Sequence, residues 1–374
     1  VFNQLKKIVA ACGLGLVLSN AHASFTGMVV FGDSLSDTGN VRSLTSAFSP
    51  PAFPNFSGAP GRFSDGPVWV ETLAAGLGLP LGSQNSNRLL TGSGVVSIGR
   101  PGGQNFAYGG ARTGLGGVVG PTTGLLGQLA AWNGAAFASS LSRAADPNAL
   151  YVVVAGANDL RDARSAFSGS SPADDAARDA AAANTAQNIT NIVGLLAQTG
   201  ARHFLVSNLP DLGRTPEAVA LGLVAPSSTI TLDFNADLAA DIVGLDATFL
   251  ANAGVDLDIR MMNLYGLNEA IVADAQTNGG ALYGITNATT PCITPVAPNA
   301  YFFPGSVGVN CATAGYADNL HPSARAHALI GQLALNTVPE PSSLALMGLG
   351  LLSIGWLGRQ TRYRAASTPG FVTP

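Results

Sequence analysis

The sequence predicts an α/β fold built on a mostly parallel sheet. Short apolar runs alternate with longer helical stretches along residues 24–337, the pattern of strand–helix–strand units. No internal repeat interrupts that stretch, so it reads as one domain. With 374 residues and 47% hydrophobic content the chain can bury a sizeable core, and its 46 glycines suggest many tight turns.

The candidate strands are Thr26–Phe31, Leu150–Ala155, His203–Ser207 and a fourth near Val255–Met261. The candidate helices are Ala176–Thr199, Ile230–Asn252 and Ser323–Thr337. The first of these is rich in alanine, the best helix former, and sets Ile189, Ile192, Val193 and Leu196 at helical spacing. Gly200 is placed to end it. Val41–Asn105 lacks clear periodicity and is rich in Pro, Gly, Ser and Asn. It is expected to wrap the surface as long loops, where specificity would reside. Residues 286–317 form a second irregular stretch.

Both ends carry sorting features. Lys6-Lys7, the apolar run Ile8–Leu18 and Ala21-His22-Ala23 have the order of an export signal, expected over residues 1–23. The body would then span 24–337, with a tail at 338–374. Residues 24–338 keep 13 of the 18 basic and 21 of the 22 acidic residues, a net charge of −8. Such an acidic body with scattered arginines argues against a nucleic-acid partner. Cys12 leaves with the signal, so Cys292 and Cys311 remain. In an exported chain they form one disulfide or stay as two free thiols. Closing a loop of that size would contribute roughly 3 kcal/mol.

The chemistry concentrates in few residues. Ser34 sits between Asp33 and Leu35 directly after an apolar strand, where the strand fixes the backbone and the turn exposes the hydroxyl. A serine attacks an ester only when a base takes its proton and donors hold the oxyanion. Of the histidines in the body, His203 begins a buried strand and reads as structural, and His327 reads as a surface or packing residue. His321 follows a loop and precedes Pro322, which favours a helix start there. Asp318 lies three residues before it, close enough to hold the imidazole tautomer across a tight turn, although the same spacing also serves a helix cap. No G-x-S-x-G occurs, against the standard α/β-hydrolase elbow. No H-E-x-x-H or cysteine–histidine cluster suggests a metal, and no cofactor is implied.

Four blocks then resemble one family in order. Phe31-Gly32-Asp33-Ser34-Leu35-Ser36-Asp37-Thr38-Gly39-Asn40 is similar to the first block of the GDSL, or SGNH, hydrolases. Asn105-Phe106-Ala107-Tyr108-Gly109-Gly110-Ala111 resembles the second, Gly156-Ala157-Asn158-Asp159 the third and Asp318-Asn319-Leu320-His321-Pro322 the last. The resemblance is nearest to the bacterial lipase/esterase branch. It implies a flavodoxin-like three-layer α/β/α sandwich and a serine hydrolase acting on esters. By position it implies Ser34 as nucleophile, His321 as general base and Asp318 as its orienter. It implies the backbone N–H groups of Ser34 and Gly110 and the amide of Asn158 as oxyanion donors. Gly109 and Gly110 are adjacent, and spacing from Asn105 favours Gly110. Asp33 and Asp37 read as turn-stabilising residues, and Ser323 stands where the family usually has threonine.

The tail resembles another known pattern. Val338-Pro339-Glu340-Pro341, an apolar stretch from Leu344 to Leu357 and then Arg359, Arg362 and Arg364 are similar to the PEP-CTERM sorting tail of Gram-negative bacteria. That resemblance implies processing by an exosortase-type enzyme, transient membrane contact through the tail, and a destination at the cell surface, in the matrix or in the medium. The expected partner of the body is an ester substrate, either an acyl ester or an acetylated glycan. The alternatives on the same fold are a polysaccharide O-deacetylase, a lipid acyltransferase and a non-catalytic matrix protein.

Overall fold

A computed structural model describes residues 25–48, 52–56, 58–135, 141–294 and 306–338. The expected export signal and the tail beyond Val338 lie outside the described residues. Four parallel strands make the central sheet: β1 (Met28–Gly32), β2 (Leu150–Val154), β3 (His203–Ser207) and β4 (Asp258–Met262), paired side by side in that order. Gly32 lies opposite Val154, and Val206 opposite both Val153 and Met261. Every residue of β1 and β2 is buried, as in parallel strands covered on both faces.

A fifth segment completes the sheet on the far side of β1. The Val30 N–H donates to the Gln104 carbonyl at 3.0 Å, the Phe106 N–H to Val30 at 2.7 Å and the Tyr108 N–H to Gly32 at 3.1 Å. Its bridge at Asn105 is parallel to Val30. The chain therefore passes from β1 to one neighbour, 104–108, and then crosses to the other, β2. This reversal is the switch point at which open α/β sheets hold their ligands.

The longer helices are α1 (Asn40–Phe48), α2 (Trp69–Gly76), α3 (Leu125–Asn133), α4 (Ala157–Ala166), α5 (Pro172–Gln198), α6 (Val224–Ala253), α7 (Leu264–Thr277) and α8 (Ala324–Thr337). Val29, Phe31, Tyr151, Val153, Phe204 and Val206 share one core with Ile189, Ile192, Val193 and Leu196 of α5 and Ile230 and Phe234 of α6. The other sheet face, with Val30, Val152, Val154 and Leu205, is equally buried. On that side α2 packs on α8, and α8 reaches β4. The result is the expected three-layer sandwich. No described helix is long and apolar enough to cross a membrane.

Local chemistry explains where the elements differ from expectation. Helix α5 starts at Pro172 because Ser171 and Asp174 form a capping box ahead of it, and Gly200, at φ +115°, follows its end. Helix α6 starts six residues before Ile230, since Pro226 falls in its first turn, where N–H groups lack intrahelical acceptors anyway. Strand β4 begins at Asp258 and so excludes Val255–Leu257. Helix α8 begins at Ala324, just after Pro322, with the Ser323 hydroxyl accepting from the Ala326 N–H at 3.2 Å. Cys292 and Cys311 are bonded to each other.

The largest correction concerns Val41–Asn105, expected as surface loops. It holds α1, α2 and the antiparallel pair Arg88–Thr91 with Gly94–Ser97, and it buries Phe63, Val68, Trp69 and Leu73. Helices of nine and eight residues between prolines and glycines are too short to show a periodic signal.

Buried amides join this region to the sheet. Asn40 donates from Nδ2 to the carbonyls of Asn105 (2.9 Å) and Ala107 (2.8 Å) and accepts from the Asn87 N–H at 3.0 Å. Asn105 donates to the Ser36 carbonyl at 2.6 Å and accepts from the Ala107 N–H at 2.9 Å. Asn40→Ala strips partners from buried backbone groups and is expected to cost roughly 3 kcal/mol in urea unfolding. A loss below about 0.5 kcal/mol would show that these amides are not a structural brace.

Candidate active site

The first site residue is aimed by a tight turn at the carboxyl end of β1. The N–H groups of Ser36 and Asp37 both donate to the Asp33 carbonyl, at 3.1 and 3.0 Å, and the Leu35 N–H donates to Asp33 Oδ1 at 3.0 Å. Ser34 stands within this turn. Gly32 precedes it because a Cβ there would lie 2.6 Å from the Val154 carbonyl oxygen. Gln128, which sequence reasoning passed over inside the apolar helix α3, braces the same point. Its Oε1 accepts from the Gly32 N–H at 2.9 Å and its Nε2 donates to the Gly32 carbonyl at 2.7 Å.

The second group comes from the far end of the chain. The Ser34 hydroxyl donates to His321 Nε2 at 2.9 Å. His321 Nδ1 donates to Asp318 Oδ2 at 2.8 Å, with Oδ1 at 3.0 Å. The N–H groups of Leu320 and His321 also donate to Asp318 Oδ1, at 2.8 and 2.7 Å, so one carboxylate shapes the loop and holds the ring. All three side chains are buried. With Nδ1 protonated toward the carboxylate, Nε2 is left as the acceptor that a serine nucleophile requires.

Gly110 and Asn158 line the same pocket as Ser34 and His321. The Gly109 N–H is committed to Asp37 Oδ2 at 2.9 Å, which leaves Gly110 as the glycine whose N–H is available to a ligand in that pocket. Gly110 sits at φ +74°, and a Cβ there would come 2.7 Å from that of Val118, so a side chain is excluded twice over. Asn158 lies in the first turn of α4, at the carboxyl end of β2, and donates one Nδ2–H to the Ala111 carbonyl at 2.9 Å. The second Nδ2–H and the helix N-terminus both favour negative charge there.

A second, apolar cavity opens from Ser34 and His321, lined by Leu35, Leu209, Leu212, Leu264, Leu267 and Ile271 among others. Most of its walls come from the chain after β3 and β4, and Val41–Asn105 contributes none of them. Sequence reasoning missed these residues because they look like ordinary core positions. Neither of the other described histidines, His203 and His327, lines these two cavities. His203 is half-buried against Asp258 Oδ2 at 3.1 Å. His327 is fully buried rather than at the surface; its Nδ1 accepts from the Trp69 N–H at 3.3 Å, and burial pushes its pKa down to about 3.

The family model for the GDSL-like lipase/acylhydrolases matches residues 28–334, and the chain belongs to that family. A PEP-CTERM protein-sorting motif matches residues 337–360, all but two of them outside the described residues. An uncharacterised Pseudomonas putida protein from a trpE–trpG intergenic region is 30% identical over 357 residues, covering 89% of this chain and 52% of that protein. Esterase EstA of Pseudomonas aeruginosa is 28% identical over 362 residues, covering 92% of this chain and 52% of its own length. The chain thus spans about half the length of these curated relatives. A solved structure of a lipolytic G-D-S-L family protein from Veillonella parvula matches at a TM-score of 0.36 and 12% identity, covering 83% of this chain and 96% of that one.

Burial also raises the carboxyl of Asp33 to about 6, against the lowering effect of its Leu35 N–H bond and of His321. A folded-state pKa above the unfolded value means that the folded protein binds this proton more tightly. The Asp33 contribution therefore favours folding below about pH 4 and is lost as pH rises to about 6. The urea midpoint of Asp33→Asn is expected to fall less than that of the unaltered protein between pH 4 and pH 7. Parallel curves would refute the assignment.

Proposed function

We propose that this protein is an exported serine esterase that hydrolyses carboxylic esters through an acyl-enzyme. The reading is carried by one observation, the unbroken hydrogen-bonded series Ser34–His321–Asp318 at the mouth of an apolar cavity. The Ser34 oxygen attacks the carbonyl carbon while its proton passes to His321 Nε2. Asp318 keeps Nδ1 protonated and balances the imidazolium. The N–H groups of Ser34 and Gly110 and the free Nδ2–H of Asn158 receive the oxyanion; one such donor is worth roughly 3 kcal/mol. His321 returns the proton to the leaving alkoxide. It then takes one from water, whose oxygen attacks the acyl carbon, and passes that proton to Ser34 Oγ as the acyl–oxygen bond breaks.

The apolar cavity supports an ester with an alkyl or alkenyl acyl chain. An acetyl group would use little of that wall, which weakens the O-deacetylase reading. The sorting motif supports export to the cell envelope or surface and processing by an exosortase-type enzyme. The name of the Pseudomonas aeruginosa relative, an esterase, agrees with the chemistry.

The test is hydrolysis of a p-nitrophenyl ester series, acetate to palmitate, by the full chain and its Ser34→Ala variant. Ser34→Ala is expected to lose on the order of 10⁴-fold or more in kcat with KM little changed. A variant that keeps its activity, or a parent inert on every ester, would sink the reading.

A further inference from the structure

The orientation of Asn158 depends on a residue one helical turn further along α4. Arg161 donates from Nη1 to Asn158 Oδ1 at 3.0 Å. Its Nε and Nη2 fork onto the two carboxylate oxygens of Glu217, at 2.8 and 2.6 Å. The Glu217 side chain is only 2% exposed and is also paired with Arg164, whose Nη1 donates to the Ser227 hydroxyl at 2.7 Å. The backbone N–H of Glu217 donates to the Asn319 carbonyl at 2.8 Å, inside the loop that carries Asp318 and His321. One residue, Glu217, thus reaches Arg161 through its carboxylate and the imidazole loop through its backbone.

A carboxamide can present either its oxygen or its nitrogen to a pocket, and the two faces have opposite uses. With Arg161 on Oδ1 and the Ala111 carbonyl on one Nδ2–H, the amide of Asn158 has one orientation only. A cation on the carbonyl oxygen also draws electron density from the nitrogen and makes the remaining N–H a stronger donor. The planar fork matters here, because an ammonium cannot span Glu217 and Asn158 in fixed geometry.

We propose that Arg161 is a positioning residue for the reaction: anchored by Glu217, it locks and polarises the Asn158 amide toward the developing oxyanion. The proposal rests on the serine esterase reading given above. Arg161 itself need not touch the reacting atoms.

The experiment is a double-mutant cycle in the full chain, reading kcat, KM and inhibition by butylboronic acid, which becomes tetrahedral on serine. Arg161→Gln is expected to lower kcat ~10-fold or more, with KM changed less than about twofold and boronate affinity weakened in parallel. Arg161→Lys, which keeps charge and most of the volume, is expected to recover only part of the loss. In the Asn158→Ala background the Arg161→Gln change is expected to have no further effect, because the route through which it acts is gone. Near-UV circular dichroism checks that each variant is folded, and Arg161→Lys carries the cycle if Arg161→Gln is not. Equal losses in both backgrounds would mean that Arg161 only braces the fold, and would overturn this inference alone. An Asn158→Ala variant with unchanged kcat would remove the donor role of Asn158, and this inference with it.

Discussion

One buried carboxylate, Asp37, sets the geometry on which the site depends. Its Oδ1 accepts from the N–H groups of Gly39 and Asn40 at 2.8 and 2.7 Å, and its Oδ2 from Val41 and Gly109 at 3.2 and 2.9 Å. Three of these donors belong to the start of α1, just after the Ser34 turn. The fourth belongs to the glycine pair 72 residues away. Asp37 therefore fixes the distance between the turn of Ser34 and the backbone of Gly110. Even with four donors, burial dominates and raises its carboxyl to about 6. A fully desolvated carboxylate held by N–H groups on every side has no lone pair facing substrate, so Asp37 organises the site without joining its chemistry.

The sheet topology does the rest. Ser34, Gly110 and Asn158 follow three adjacent strand positions, β1, the segment 104–108 and β2, and meet where the chain reverses its direction of winding. His321 has no strand of its own, so its loop is pinned from outside. The Ser64 hydroxyl donates to the Pro322 carbonyl at 3.0 Å, Asp65 accepts from the Ala324 N–H at 2.8 Å, and Glu217 reaches Asn319. The segment between Val41 and Asn105 thus serves the imidazole loop rather than the apolar cavity, and that is why it is folded around a buried set that includes Phe63, Val68, Trp69 and Leu73.

What the sequence made legible follows the range of the interactions. Ser34 and the Asp318–His321 turn are local arrangements of distinctive residue types, and each motif carries its own geometry. The strands and the long helices were visible because their apolar spacing is sustained. In the sequence Gly109 and Gly110 differ by spacing alone, because the N–H bond that sets them apart runs from Gly109 to Asp37 in another motif. His327 could not be placed from its helix, since its partner Trp69 is 258 residues away. The cavity walls were invisible for a different reason. Leucine and isoleucine beside a cavity obey the same pattern as those inside a core, and only the backbone decides which is which.

The site is asymmetric in a way that bears on how it would work. On one side Ser34 faces leucine and isoleucine; on the other the pocket carries Arg161, Arg164 and Glu217. Water would be driven from the first wall by an apolar chain, and the fixed charges of the second need no solvent to hold them in place. On the proposed reading, oxyanion donors set between those walls act in a medium of low polarisability, where a hydrogen bond is worth more than in water. They are also already oriented, Gly110 by the Asp37 bond to its neighbour and Asn158 by Ala111 and Arg161. The free energy of ordering those dipoles would be met when the chain folds, so little of it remains in the barrier to ester cleavage.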